Sequence, residues 1–385
     1  VSENCIVLKR IIPFLFIAVL FAASTGWSVS ASAQVNLEKK DTVTRLGKKR
    51  KLFAFPAVIY SPETTLAFGA AGNYYFKLGR DTTVRTSYVQ GLGLYTLRKQ
   101  EVLGLESTIF FHNERYILKT RASASYFPDR FWGLGNSSTD ANMERYTVGQ
   151  FYFFPQLLRK TYKNLFLGLA YEIQNVFSFE YGAGKAPGTS IFDTQQVPGR
   201  AGSLVSGVGF VMLWDGRNNT FSPSQGFYLS YYVNNFSPLL GSSFTYTSQA
   251  LDVRKYFRLR RGQVLAFQFI MNTNVGNVPL RSMANIGSNA MLRGYYEGRY
   301  TDKNLIGLQA EHRIPLIGRL GMVLFAATGR VGTTPNQLLT LQELKPSFGS
   351  GIRYAIDKKE KLNLRFDAGF GRQSNGFYFN ITEAF

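Results

Sequence analysis

Thiol, thiolate and imidazole chemistry have almost no material here: 385 residues hold one cysteine and two histidines. Cys5 lies in an N-terminal stretch where Lys9 and Arg10 precede an apolar run over residues 11–23, and Ala31, Ser32 and Ala33 then stand before Gln34. A basic start, a short apolar centre and a small-residue site describe a secretory signal over residues 1–33. The apolar centre is shorter than the ~20 residues that a helical membrane anchor needs. Once the signal is removed no cysteine remains, which excludes disulfides, a thiol nucleophile and thiolate metal ligands. His112 and His312 stand in distant segments without metal-ligand spacing, so no metal is expected. Neither a G-x-S-x-G elbow nor a phosphate-binding glycine loop occurs, and no cofactor is implied. The chain reads as a non-enzyme, with a hydrolase built into a barrel rim as the enzymatic alternative. No second long apolar run exists, so helical membrane spans are not expected. Acidic residues are also scarce, 24 against 44 basic ones, for a net charge of +20, and removing the signal changes that by one unit. For an exported chain, anionic lipid headgroups or an acidic passenger answer this charge better than nucleic acid does.

What the sequence has in quantity is aromatic side chains and glycine: 33 Phe, 22 Tyr and 37 Gly. They fall in segments that alternate with period two. In the stretch 66–76, Leu66, Phe68, Tyr74 and Phe76 share one parity while Ala67, Asn73 and Tyr75 share the other. Leu165, Leu167, Leu169, Tyr171 and Ile173 oppose Gly168, Ala170, Glu172 and Gln174, and Leu364, Phe366, Ala368 and Phe370 oppose Asn363, Arg365, Asp367 and Gly369. Alternation is common to soluble sandwiches and to membrane barrels, but strand length separates them. Many segments reach the ~10 residues that cross a bilayer at a tilt, whereas soluble strands usually stop near half that. The expectation is an all-β fold, a transmembrane antiparallel β-barrel of about 16 strands, the even number such barrels favour. It spans residues 52–385, after a polar periplasmic tether over 34–51. Short turns are expected at Ser61 to Glu63, at Ser222 to Gly226 and at Ile356 to Lys361. Long loops are expected near residues 128–142, 181–201, 276–303 and 332–345. The aromatic and glycine-rich stretch 127–136 reads as a packed loop over the barrel mouth, with external binding as the alternative.

Three motifs add specificity. Leu292, Arg293, Gly294 and Tyr295 form a hydrophobic-Arg-Gly-aromatic signature inside the longest predicted loop. Residues 215–226, DGRNNTFSPSQG, carry Asp215, Arg217, Pro223 and Gly226 in a turn pattern. The last residues, FYFNITEAF, put Phe377, Phe379 and Ile381 on one parity of a terminal strand that ends at the aromatic Phe385. Together and in this order the three resemble the C-terminal barrel of the Omp85 superfamily (the surface antigen D15, or BamA-like, barrel), over essentially all of the mature chain.

That resemblance implies insertion of proteins into the outer membrane of a Gram-negative bacterium, or their translocation across it, with no chemical step. It implies outer-membrane lipids and unfolded or secreted client proteins as partners. It implies that the loop after the eleventh strand folds into the lumen, where Arg293 pairs with an acidic inner wall. Glu311, on the polar parity with Gly307, Gln309 and Arg313, is the expected partner, since a guanidinium fork matches a carboxylate and Gly294 permits a tight turn. Two features depart from the family. Ala327 stands where the family places a second carboxylate, so Asp367 on a neighbouring inner wall becomes the candidate replacement. Residues 34–51 are too few for a POTRA module with its own core, so client capture falls to the barrel, the tether or a separate periplasmic partner. The expected seam joins Leu52 to Tyr60 with Phe377 to Phe385, weakened by Pro56, which removes a ladder donor. The remaining alternatives are a passive diffusion pore and an accessory subunit of a larger outer-membrane complex.

Overall fold

The computed structural model describes residues 51–61, 65–78, 84–111, 113–358 and 361–385. The signal, most of the tether, His112 and the turn residues Pro62 and Glu63 lie outside them. Sixteen strands among the described residues form one antiparallel sheet in chain order. They are β1 (Lys51–Ser61), β2 (Thr65–Phe76), β3 (Ser87–Thr96), β4 (Glu101–Phe111), β5 (Tyr116–Phe131), β6 (Glu144–Tyr162), β7 (Leu165–Tyr181) and β8 (Ser203–Asp215). After these come β9 (Gly226–Phe236), β10 (Tyr246–Arg258), β11 (Val264–Gly276), β14 (Asn304–Pro315), β15 (Leu320–Gly332), β16 (Lys345–Asp357), β17 (Leu362–Gly371) and β18 (Ser374–Ile381). Two further strands, β12 (Ala284–Ile286) and β13 (Tyr300–Asp302), pair with each other inside the loop between β11 and β14. Among the described residues one short α-helix, α1 (Ile191–Thr194), sits in the loop after β7.

The two faces of the sheet invert the rule of soluble proteins. Phe348, Ile352 and Tyr354 of β16, Phe366 and Phe370 of β17, and Phe377 and Phe379 of β18 are exposed on the outside. Between them Ser347, Arg353, Arg365, Asp367 and Tyr378 are buried on the inside. The same inversion holds at β2, where Phe68 is exposed while Ala67, Asn73 and Tyr75 are buried. An apolar outer face with a polar interior is stable only where lipid replaces water outside, the condition of a membrane barrel. The sheet brings β18 back beside β1. Among the described residues no hydrogen-bonded register joins the two, although every other neighbouring pair has one. Pro56 lies on β1, opposite Ala70 of β2, and cannot donate to a ladder on either side.

Successive antiparallel strands place their connections alternately at the two ends. The loops at 132–143, 182–202, 277–303 and 333–344 share one end. Loops 182–202 and 277–303 are anchored by one hydrophobic cluster, in which Phe192 of α1 and Leu280 join Phe131, Tyr146, Val176 and Phe236. Several expected boundaries shift. Pro128 is paired with Thr147 inside β5, because the strand continues to Phe131. The turn expected at Ser222 to Gly226 is the last part of a longer connection, 216–225. Lys51 belongs to β1 rather than to the tether. The largest difference is at the terminal strand: β18 stops at Ile381, Thr382 takes a left-handed φ of 75°, and Phe385 turns inward.

Candidate functional site

Loop 277–303 folds into the barrel, and its centre is fixed by charge. Arg293 is fully buried, and its two terminal nitrogens reach strands far apart in the sheet. Nη2 donates to Glu311 Oε1 of β14 at 2.6 Å, and Nη1 donates to Asp367 Oδ2 of β17 at 2.6 Å. Its guanidinium lies 3.5 Å from the centre of the Phe325 ring on β15, which packs against the charge from below. Glycines clear the space for this group. A Cβ on Gly349 would meet the Phe325 ring at 2.5 Å, and one on Gly351 would meet Asp367 Oδ1 at 1.9 Å.

The two carboxylates continue outward to further cations and close a ring of alternating charge. Glu311 Oε2 accepts from Arg313 Nε at 2.9 Å, and Asp367 Oδ1 accepts from Arg353 Nη1 at 2.5 Å. Arg353 Nε donates to Glu383 Oε2 at 2.7 Å, and Glu383 Oε2 lies 3.9 Å from Arg313 Nε. Arg365 stands beside the ring, with Nε 3.7 Å from Asp367 Oδ2 and Nη2 donating to the Asn289 carbonyl of the loop at 2.9 Å. Every ring member is buried. A buried charge is tolerated only when paired and hydrogen-bonded, so each member depends on its neighbours.

Backbone contacts complete the seating of the loop. Gly294 has φ of 109°, and a Cβ there would approach the Gly371 nitrogen and the Phe370 backbone at 2.7 Å. Gly369 and Gly371 leave the wall bare where Arg293 and Tyr295 lie against it. The Gly294 N–H donates to the Tyr378 hydroxyl at 2.9 Å, and its carbonyl accepts from Ser374 Oγ at 2.7 Å. Tyr295 donates to the Pro346 carbonyl at 2.8 Å and accepts from the Arg372 N–H at 2.9 Å. The loop is therefore tied to β16, β17 and β18 as well as to β14. Ala327 has no carboxylate to offer Arg293, and Asp367 supplies the second one. Ala327 joins an apolar cluster with Met291, Leu292, Tyr295 and Val331, where a carboxylate would be desolvated.

The other two motifs meet the same ring. Asp215 accepts a two-pronged pair of bonds from Arg217, Nε to Oδ1 at 2.8 Å and Nη2 to Oδ2 at 3.0 Å, and a further bond from Arg85 at 2.8 Å. Gly226, with φ of 120°, lets β9 begin against Gly216, whose carbonyl a Cβ would meet at 2.3 Å. Pro223 offers its carbonyl to Arg313 Nη1 at 3.3 Å. Arg313 Nη2 also donates to the Phe385 carbonyl at 2.8 Å, and its guanidinium lies 5.3 Å from the Phe385 ring. Phe385, buried against Tyr256 and Ala266, is on the lumenal side, whereas Phe377 and Phe379 point outward and Ile381 is half-buried. Pattern reading missed Arg353, Glu383, Tyr378 and the wall glycines 349, 351, 369 and 371. Arg353 stands in a strand for which no parity was read, and its pairing with Glu383 depends on the turn after β18. His312 faces outward with its Nε2 2.8 Å from Gln263 Oε1, outside this network.

A sixteen-stranded antiparallel barrel with a long loop clasped in its lumen is the outer-membrane barrel class. The chain belongs to the Omp85 superfamily: the family model described as the Omp85 superfamily domain matches residues 25–385. The fold is similar to that of BamA from Haemophilus ducreyi lacking POTRA domains 1–3, at 12% identity and a TM-score of 0.55, over 87% of this chain and 70% of that one. It is also similar to CdiB from Acinetobacter baumannii, at 10% identity and a TM-score of 0.51, over 87% of this chain and 65% of that one. The chain thus spans slightly less than two thirds of the CdiB chain. Among curated proteins none matches.

Proposed function

We propose that this barrel sits in the outer membrane of a Gram-negative bacterium and inserts protein clients into that membrane or passes them across it. The observation that carries the reading is that β1 and β18 lie side by side while, among the described residues, no register joins them and every other neighbouring pair has one. An unpaired strand edge presents N–H and C=O groups that a client strand can complete. In this reading loop 277–303 plugs the lumen, and Arg293, Gly294, Tyr295 and Glu311 latch it, with Asp367 as the second acidic partner. The motif around Asp215, Arg217, Pro223 and Gly226 braces the opposite end of the ring through Arg313. Phe377, Phe379 and Ile381 form the lipid-facing terminal signal, while Phe385 holds the end of the terminal strand inward. Outer-membrane lipids surround the barrel, clients enter at the seam, and a separate periplasmic partner delivers them.

Photocrosslinking tests the seam directly. A crosslinkable residue at Leu52 or Ala54, both exposed on β1, should capture an unfolded barrel client. The same group at Leu169, exposed on β7, should not. Equal capture at both positions would overturn the seam as the client's entry point.

A further inference from the structure

We propose that the long-loop end of the barrel carries a binding pocket for a phosphorylated carbohydrate. A cavity of about 570 Å³ lies there between loops 132–143, 277–303 and 333–344 and the turn joining β17 to β18. It has the size of a small-ligand site. Its lining combines two chemistries. Four cations, Arg130, Arg299, Lys345 and Arg372, face two carboxylates, Asp140 and Glu343. Asp140 is taken by Arg299 at 3.1 Å. Glu343 is occupied by Ser137 Oγ at 2.9 Å and by Asn136. Among the described residues Arg130, Lys345 and Arg372 make no ion pair.

Lys345 is the informative one. It is buried, its ammonium lies 4.3 Å from the centre of the Tyr300 ring, and the carboxylate that acts on it, Glu343, makes no direct ion pair with it and is hydrogen-bonded to Ser137 and Asn136 instead. A buried cation whose nearby carboxylate is engaged elsewhere is only partly compensated, and an anion entering this cavity, where cations outnumber carboxylates, completes the compensation. The second chemistry is aromatic. Trp132, Tyr296 and Tyr300 line the same cavity, and Trp132 meets Tyr296 edge-on at 5.2 Å. Ring faces beside side-chain amides, here Gln373 and Asn375, suit the C–H face and hydroxyls of a sugar, while the cations without an ion pair suit its phosphate. A membrane glycolipid headgroup and a free glycan share this chemistry. The outward exposure of the pocket rests on the membrane placement proposed above; its ligand chemistry does not. The two fail separately, because binding is read on protein in detergent without any client.

The experiment titrates the full chain with a phosphorylated disaccharide, its dephosphorylated counterpart and inorganic phosphate, by calorimetry and by tryptophan fluorescence. A parallel arm uses vesicles bearing a phosphorylated glycolipid. The phosphorylated disaccharide should bind saturably, and each of the two partial ligands at least about tenfold more weakly, the scale of one charge-assisted hydrogen bond. Saturable binding in the vesicle arm that exceeds the soluble arm assigns the site to the membrane glycolipid; the reverse assigns it to a free glycan. Arg372→Gln, at an exposed turn, should weaken binding about tenfold by the same measure, and Lys345→Gln at least as much. Arg258→Gln, at the opposite end, should leave it unchanged. Equal affinity for the two disaccharides, phosphate binding as tightly as the sugar phosphate, or no effect of Arg372→Gln would each overturn the proposal.

Discussion

At Arg293 one side chain spans two carboxylates that belong to strands β14 and β17. Removing it leaves Glu311 and Asp367 buried beside fewer cations, a situation that costs roughly 3–5 kcal/mol. Arg293→Ala should therefore lower the stability of the folded barrel by that order, measured by the denaturant midpoint in detergent. It should also expose loop 277–303 to protease. Arg293→Lys keeps the charge but not the planar fork, so it should hold one carboxylate only and give an intermediate loss. Gly369→Ala should release the loop without touching any charge, because its Cβ would stand 2.7 Å from the Arg293 backbone. Arg293 and Glu311 were legible in the sequence because a signature and a strand parity each pointed inward. Asp367 was legible only as an alternative, and Glu383 not at all. Its role comes from a backbone turn at Thr382 that period-two alternation cannot reveal.

Among the elements, the strands were the most readable part of the chain. Alternation and length gave sixteen of them, and the order placed Arg293 after the eleventh. Loops were read less well, since their boundaries depend on how far each strand pairs beyond the bilayer; Pro128 inside β5 is the example. The ends of the long loops also hold one another. Glu343 in loop 333–344 has its carboxyl held below the usual glutamate range by donation from Ser137 and then Asn136 of loop 132–143. A depressed folded value stabilises the docked loops above the ordinary glutamate pKa, and the effect is lost as pH falls through the depressed value. Limited proteolysis of loop 132–143 should accordingly be flat from neutral pH into the ordinary carboxylate range and rise below it. Glu343→Gln should remove that acid-dependent step. At the last element, Glu383→Ala should free residues 382–385 from Arg353 and Asn363, read as new protease accessibility of that segment with β18 still folded.

For the whole molecule, the three motifs that marked the family turn out to share one buried ring: the loop through Arg293, the turn through Pro223 and Arg313, and the last residues through Glu383 and Phe385. Short motifs far apart in sequence stand together because each supplies one contact to a network that fails if any contact is lost. The same network ties loop 277–303 to β17 and to the segment following β18, the strand that meets β1 with no register between them among the described residues. In the proposed function the loop and the seam are thus mechanically adjacent, and a client that completes the edges of β1 and β18 would act next to Arg293. A passive pore would need neither the latch nor the open edge. The most direct measurement is the folding rate of an unfolded outer-membrane barrel added to liposomes containing the mature protein. Engineered cysteine pairs between β1 and β18 provide the control, with Cys5, the one native cysteine, replaced by serine. The account predicts faster client folding than with empty liposomes, abolished when the seam is oxidised and restored on reduction. Client folding no faster than in empty liposomes, with the protein itself folded, or acceleration indifferent to the locked seam, would contradict it.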